Sequence, residues 1–377
     1  MIRRLIFWEP SASPHKFQLF ERIAAQRPSL EVRCFCAADL LPARKALGWG
    51  YAPPRNFSLA VGTAAMDYTN EIVDRPDHLH IFSGIRHVPL LTCALDRVLD
   101  SAAKFAILSE PRVSEGVSGL ARRIQSLLTE GNLTRRCGAV FAIGRHGPAW
   151  FTSVGYPKER VFPFAYFVDP PTIVDAGVSK LEADRLPVFG YLGRLTKEKG
   201  YANVLKVFEG LGNSATLTVA GDGDLAGVTR RAFECGAVSG RYMGAIAIDS
   251  VGDFFRAIDV LVVPSISTND GWGVVVSEAL MAGVPVIVSP LVGSSICMNR
   301  PEFGTVMNNS STEALKSSVL SWIRNRPAFD DIGYRTAIRN SAVQCLSARR
   351  GASYFLEIID HLYLGLQRPA PPWAVSP

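Results

Sequence analysis

Short β-branched and apolar runs alternate with amphipathic stretches along the chain, and no other feature narrows the fold as much. One set of runs lies at residues 4–8, 30–36, 78–82, 105–108 and 140–143; a second lies at 188–191, 216–220, 260–263 and 284–288. Nearly continuous apolar runs of this length suit strands buried on both faces, as in parallel sheets covered by helices. Each set is expected to build its own open sheet, giving an α/β chain of two Rossmann-like domains. At 377 residues the chain also exceeds what one hydrophobic core organises. The segment Phe167-Val-Asp-Pro-Pro-Thr-Ile-Val-Asp-Ala-Gly177 and the charged stretch to Pro187 read as the connection, with the boundary near residue 170. Domains are therefore expected at 1–168 and 169–350. A last helix over 351–366, with Phe355, Ile358, Ile359, Leu362 and Leu366 on one broad face, is expected to pack back onto the first domain. Residues 367–377 are expected to be a tail without fold.

A hydrophobic fraction of 48% and a charged fraction of 20% are those of a soluble globular protein. No uncharged apolar run approaches the roughly 18 residues of a membrane span, and the opening Met-Ile-Arg-Arg-Leu-Ile-Phe-Trp-Glu-Pro is too short for a secretory signal, so a cytoplasmic location is expected. Cys34, Cys36, Cys93, Cys137, Cys235, Cys297 and Cys345 include no C-x-x-C pair and read as reduced thiols. The net charge of +6 is uneven: residues 1–168 hold 21 Lys and Arg against 14 Asp and Glu, and the remainder 19 against 20. Arg122-Arg123 and Arg135-Arg136 fall in a stretch, 117–137, where Leu120, Ile124, Leu127 and Leu128 recur at helical spacing. Two readings stand there: a solvated helix face, or peripheral contact with an anionic membrane or a diphosphate-lipid acceptor. Nucleic acid is not expected as a partner, because no binding motif or aromatic platform accompanies the charge.

Residues 188–200, Val-Phe-Gly-Tyr-Leu-Gly-Arg-Leu-Thr-Lys-Glu-Lys-Gly, begin as a buried strand and turn at Gly193 into a loop with Arg194, Lys197 and Lys199 ahead of a helix. Open α/β sheets bind ligands at such strand ends. An Arg fork, a Lys ammonium and a helix start together suit a diphosphate, although a solvated basic loop has the same composition. Thr218-Val-Ala-Gly-Asp-Gly-Asp224 is a second strand ending in small residues. Farther on, Asp270 in a glycine-flanked loop and Glu278 within the next helix place two carboxylates where they can line one pocket.

In order, G-R-L-x-x-x-K-G from Gly193, A-G-D-G from Ala220, P-S at Pro264, D-G-W-G-V-V-V-S-E-A from Asp270 and A-G-V-P-V-I from Ala282 resemble the retaining glycosyltransferases of the GT-B fold, family 4 (glycosyl transferases group 1). The resemblance implies two Rossmann-like domains facing a central cleft, an acceptor-binding first domain and a nucleotide-sugar-binding second. It implies that Arg194 and Lys199 bind the donor pyrophosphate. Gly193, Gly221, Gly271, Trp272, Gly273 and Val274 would line the donor, Met243 would lie by the base, and Glu278 would hold the ribose hydroxyls. Asp270 would face the transferred sugar. The family usually has Glu there; the missing methylene, roughly 1.5 Å, favours contact with sugar hydroxyls. Where the family commonly places a His after the fifth strand of its first domain, this chain has Ser109 and Glu110, and Glu110 either takes a polar or basic role or caps the next helix.

In the first domain, His15, Ser83 and Gly84 are candidates to face acceptor or sugar, with Arg86, His87, Arg145 and His146 as further ones. The implied reaction is metal-independent, cofactor-free transfer of a hexosyl-type sugar, with retention, from a UDP- or GDP-linked donor to a saccharide or lipid-linked saccharide in bacterial surface polysaccharide synthesis. Two rivals share the fold: a nucleotide-sugar epimerase or hydrolase, and a noncatalytic nucleotide-sugar-binding protein. A dehydrogenase is not supported, since no G-x-G-x-x-G opens the first βα turn.

Overall fold

The buried runs become parallel strands. The computed structural model describes residues 2–46, 48–62, 75–113, 115–172, 185–324 and 332–374. The chain divides into two units, Met1–Asp169 with Ala348–Ser376, and Pro170–Ser347. In the first, β1 (Arg4–Glu9), β2 (Glu31–Cys36), β3 (Ser58–Val61), β4 (His78–Phe82), β5 (Lys104–Ser109), β6 (Ala139–Ile143) and β7 (Val161–Phe164) form a seven-stranded sheet in the order β3-β2-β1-β4-β5-β6-β7. In the second, β8 (Val188–Leu192), β9 (Thr216–Ala220), β10 (Gly240–Tyr242), β11 (Val260–Val263), β12 (Val286–Val288) and β13 (Gly304–Val306) form a six-stranded sheet in the order β10-β9-β8-β11-β12-β13. All these pairs are parallel. Both orders reverse direction once, between β1 and β4 and between β8 and β11, and such a reversal opens a crevice at the carboxyl ends of the strands.

Four strands escape the apolar-run reading. β3, β7, β10 and β13 have only three or four residues each and border their sheets, where fewer buried neighbours select apolar side chains; β7 even contains Pro163, which an edge tolerates. The connecting stretch at 173–184, assigned from sequence to the interdomain link, lies outside the described residues.

The chain returns to the first unit through a helix at Ala348–Leu364, beginning three residues before the expected 351. Phe355 stacks on Phe141 at 4.8 Å and tilts toward Phe7 at 6.0 Å, and Arg27 on the helix-terminal turn of Pro14–Gln26 forks onto Asp360 at 2.7 and 2.6 Å. Gly351 is required: a Cβ there would lie 2.2 Å from Phe167 Cγ. The sequence reading of this helix needs two corrections. Gly365, at φ 72°, stops it in the left-handed conformation that closes helix C-termini, so Leu366 falls beyond the helix and is exposed. Nor are the residues after 367 without fold. Pro372–Ala374 form a short 3-10 turn, and Trp373 is buried with its ring 6.2 Å from Phe167, because an indole is too costly to leave in water where an aromatic wall is at hand. Arg368 lies over the Phe162 ring at 4.1 Å and donates to the Val161 carbonyl at 2.7 Å. Among the described residues, no helix is long and apolar enough to cross a membrane.

The centre of the first sheet carries a buried titratable group. Trp8 stacks between Phe35 at 4.9 Å and Phe82 at 5.8 Å and donates its Nε1 hydrogen to His80 Nδ1 at 3.2 Å. Burial, with His78 beside it, pushes His80 down from 6.5 to about 3, so the ring is neutral in the folded chain. Between those two values the unfolded chain binds the extra proton, and stability falls as pH drops through that window. At about pH 5 the linkage costs the native state about 2 kcal/mol relative to neutral pH. His80→Gln keeps an acceptor for Trp8 but takes no proton. Urea unfolding midpoints of this variant should lose less between neutral pH and about pH 5 than those of the parent chain.

Candidate functional site

The loops after β8, β9, β10 and β11 gather at the carboxyl edge of the second sheet, and glycine makes their approach possible. Gly193 donates its N–H to the Ala220 carbonyl at 3.0 Å, and Leu195 to that of Asp222 at 2.9 Å, so the loop after β8 lies along the loop after β9. A Cβ on Gly221, at φ 142°, would sit 1.8 Å from the Gly193 oxygen. Gly200, at φ 70°, is pressed against Pro264 after β11, whose carbonyl oxygen would be 2.0 Å from a Cβ. Gly221 in turn donates to the Gly244 carbonyl at 2.7 Å, which draws in the turn after β10, where Met243 is partly exposed.

Arg194 projects from this loop and is exposed, while its carbonyl accepts the Tyr191 hydroxyl at 2.8 Å. Lys199 is not directed at open solvent. Its ammonium forms an ion pair with the Asp270 carboxylate, whose second oxygen accepts the Ser265 hydroxyl. The Asp270 side chain is 4% exposed and that of Lys199 23%. The two form one paired group, tying the end of the β8 loop to the β11 loop.

Past Asp270, Gly271 at φ 63° and Gly273 at φ 71° bend the chain into a helix at Val274–Met281. Val274 begins that helix, whose first amides have no intrahelical acceptors and point out of its start. The loop is fixed from behind: Gly293 and Ser294 donate to the Gly271 and Trp272 carbonyls at 2.8 and 2.9 Å. Trp272 is fully buried, its indole bonded to the Ser277 hydroxyl at 3.0 Å, so the side chain is a structural anchor and only its backbone is placed to meet a ligand. Glu278 is half-buried one turn into the same helix.

The reversal point of the first sheet holds a second polar cluster. Glu9, at the end of β1, is 1% exposed; it accepts Lys16 Nζ at 2.6 Å and the Ser83 hydroxyl at 2.6 Å, and Lys16 also reaches Ser83 Oγ at 2.9 Å. Lys16 lies 5.7 Å from the Tyr166 ring centroid. Burial, followed by the charges of Glu110 and Glu9 and a hydrogen bond to Glu110, holds the Tyr166 hydroxyl well above the ordinary phenol range, so it stays a donor. Glu110 is therefore engaged by Tyr166 and does not cap the next helix, whose N-cap is Glu115. Ser109 donates to the Glu110 carbonyl at 3.0 Å, and Gly84, at φ 89°, turns the chain beside Ser83 with open space around its Cα.

Other sequence candidates have local roles. His15 meets the Trp49 ring edge-on at 5.2 Å and lies in the first turn of a helix that starts at Pro14, with Ser13 as its N-cap residue. Arg86 is bound to Glu130 at 2.7 Å. Glu9, Lys16 and Tyr166 were missed, since a Glu, a Lys and a Tyr scattered over 158 positions carry no local pattern; the available signal was a carboxylate directly after the apolar run Leu5–Trp8.

Residues 178–339 match the family model described as Glycosyl transferases group 1. The chain is similar to 2-deoxystreptamine N-acetyl-D-glucosaminyltransferase of Streptomyces fradiae, 28% identical over 189 residues, 48% of this chain and 43% of that protein. It is also similar to 2-deoxystreptamine glucosyltransferase of Streptomyces kanamyceticus, 31% identical over 105 residues, 26% of this chain and 27% of that one. The matches thus span less than half the length of these curated relatives. Among solved structures, Anabaena HepE in complex with UDP-glucose superposes with a TM-score of 0.69 over 95% of this chain and 99% of that one, at 14% identity. Sucrose-phosphate synthase of Thermosynechococcus elongatus gives 0.67 over 97% and 100%, at 16% identity. The chain has the GT-B fold, and within its second unit residues 178–339 match the glycosyl transferases group 1 model.

Proposed function

We propose that the protein is a glycosyltransferase that moves a hexosyl-type sugar from a nucleoside-diphosphate sugar to a saccharide or lipid-linked saccharide acceptor, with retention of anomeric configuration and without a metal. The observation that carries this reading is the meeting of an exposed Arg194, the Lys199–Asp270 pair and the start of the Val274–Met281 helix at the β8/β11 reversal point. Those are the groups that an anionic leaving group needs at the place where such sheets bind ligands.

In this reading the donor's diphosphate lies along the loop from Gly193 to Gly200. As the glycosidic bond breaks, negative charge grows on the distal phosphate, and Arg194 and Lys199 stabilise it from fixed positions. Asp270 first serves to aim the Lys199 ammonium; on donor binding the phosphate shares that ammonium, and the carboxylate becomes available to sugar hydroxyls. The acceptor hydroxyl attacks the anomeric carbon from the face the phosphate leaves, and a phosphate oxygen takes its proton. Glu278 holds the ribose hydroxyls, and the turn bearing Met243 borders the base. UDP is the favoured nucleotide, with GDP the alternative; the UDP-glucose found in HepE and the hexosyl groups named for the Streptomyces relatives support this choice. The Glu9–Lys16–Ser83 and Glu110–Tyr166 groups of the first unit are assigned to the acceptor side. The family resemblance and the basic first unit support work on a lipid-linked saccharide for a bacterial surface polysaccharide.

Three measurements test the reading. Preorganised donors to a developing charge are each worth about 3 kcal/mol. Arg194→Ala and Lys199→Ala, assayed separately with a panel of UDP-, GDP-, ADP- and dTDP-sugars, should each lower turnover by about 100-fold; turnover within threefold of the parent for both would sink the assignment. The same panel without acceptor should leave the donor intact, whereas an epimerase or hydrolase consumes it. Gly200→Ala forces a Cβ into the Pro264 carbonyl at a left-handed backbone position. It should cost about 1–3 kcal/mol of stability and remove the thermal shift produced by the best nucleotide.

A further inference from the structure

β7 is poorly equipped to fix its own position. It has four residues, stands at the end of the strand order beside β6, and at Pro163 has no backbone N–H to donate. The chain just beyond it nevertheless carries Tyr166, which bonds Glu110 and whose ring centroid lies 5.7 Å from Lys16 Nζ. Residues near the end of the chain supply what the strand lacks. Tyr354 donates its hydroxyl to the Pro163 carbonyl at 3.1 Å and stacks on Phe164 at 5.9 Å, and the Ala348 N–H donates to the Val168 carbonyl at 2.9 Å. The tail beyond the Ala348–Leu364 helix adds two contacts. Arg368 covers the Phe162 ring and donates to the carbonyls of Glu159 and Val161, while the Trp373 ring lies 6.2 Å from that of Phe167, at 27° to it. Phe167 in turn meets Phe164 edge-on at 5.1 Å. Asp169 fastens the far end: its N–H donates to Gln18 at 2.7 Å, and its carboxylate accepts Arg22 at 3.0 Å. From Phe164 to Val168 only Tyr166 is part-exposed; its four neighbours are buried.

We propose that the tail at 368–374 is a positioning element for the polar cluster of the first unit: Arg368 and Trp373 hold β7 and the chain beyond it, and so set where Tyr166 meets Glu110 and Lys16. Burial alone would be served by any apolar side chain over Phe167. The tail instead takes hold at two separated points, one before and one after the residue that carries the hydroxyl. Interiors at native density yield little, so a displacement of Phe167 passes to its neighbour. A movement of about 1 Å is enough to stretch a hydrogen bond beyond roughly 3.5 Å, where it no longer counts as one. That the cluster serves an acceptor rests on the proposed transfer reaction; that the tail sets its geometry does not.

Nitration of the full chain by tetranitromethane is the test, because the reagent attacks phenolate and peptide mapping reads each tyrosine separately. At about pH 8 an ordinary phenol is about one per cent ionised; Tyr166, held above that range by burial and then by Glu110 and Glu9, should nitrate slowly. Trp373→Ala should raise the rate at Tyr166 by about tenfold, as the hydroxyl leaves Glu110, meets water and returns toward ordinary ionisation. Trp373→Phe, which keeps a ring against Phe167, should restore the parent rate, and Arg368→Gln should raise it severalfold. Tyr156, buried in the same unit and bonded to Glu130 at 3.1 Å, should nitrate at the parent rate throughout. A rate at Tyr166 that Trp373→Ala and Arg368→Gln both leave unchanged overturns the proposal. So does a rise that Tyr156 shares, which is general loosening, or one that Trp373→Phe does not reverse. Thermal shifts with UDP and GDP should match between parent and variants, because the donor groups lie in the second unit. A parent chain that neither nucleotide stabilises sinks the donor site and leaves the tyrosine result standing.

Discussion

The Lys199–Asp270 ion pair joins the loop that follows β8 to the loop that follows β11, and the carboxyl edge of the second sheet is organised around it. It can form only because Gly200 lets the two backbones touch at Pro264. The same economy recurs one strand away, where Gly221 lies against the Gly193 carbonyl. These contacts place a cation, a carboxylate and a helix start at the one point of the sheet where strand order reverses. The ion pair also gives each partner a defined position, which the proposed reaction would use to stabilise developing charge with little reorganisation.

The first unit has the same strand reversal but a different filling. Between β1 and β4 stands a nearly inaccessible carboxylate, Glu9, compensated by Lys16 and the Ser83 hydroxyl, with Tyr166 and Glu110 alongside. A buried carboxylate is tolerable only when it is paired and hydrogen-bonded, and this one has both kinds of partner. The cluster is preorganised for hydrogen bonding and lacks the exposed Arg that marks the second unit. That contrast is the physical basis for assigning the diphosphate to one unit and the acceptor to the other.

Much of this was legible in the sequence, and what was missed has physical causes. Central strands announce themselves because both faces are buried; β3, β10 and β13 do not, having few residues and a sheet edge on one side. The loop after β8 was readable as a strand-end turn because Gly193 and Gly200 stand where its backbone bends and meets its neighbours. The pairing of Lys199 with Asp270, 71 positions away, left no such trace, and neither did the Glu9–Lys16–Ser83 cluster. In the D-G-W-G run the resemblance assigns Trp272 a backbone role, and its ring is fully buried on Ser277, a contact the run itself does not announce. The periodicity of residues 117–128 was visible, but periodicity gives the width of an apolar face and not its direction; only the fold shows that it points outward.

The central claim is that the β8, β9 and β11 loops of the second unit hold a nucleoside diphosphate. Hydrogen–deuterium exchange of the chain with and without saturating UDP tests it most directly, with GDP as the second nucleotide. The account predicts slowed exchange confined to the amides of residues 193–200, 221–224 and 270–276. Protection absent from all three segments with both nucleotides, or concentrated elsewhere in the chain, would contradict it.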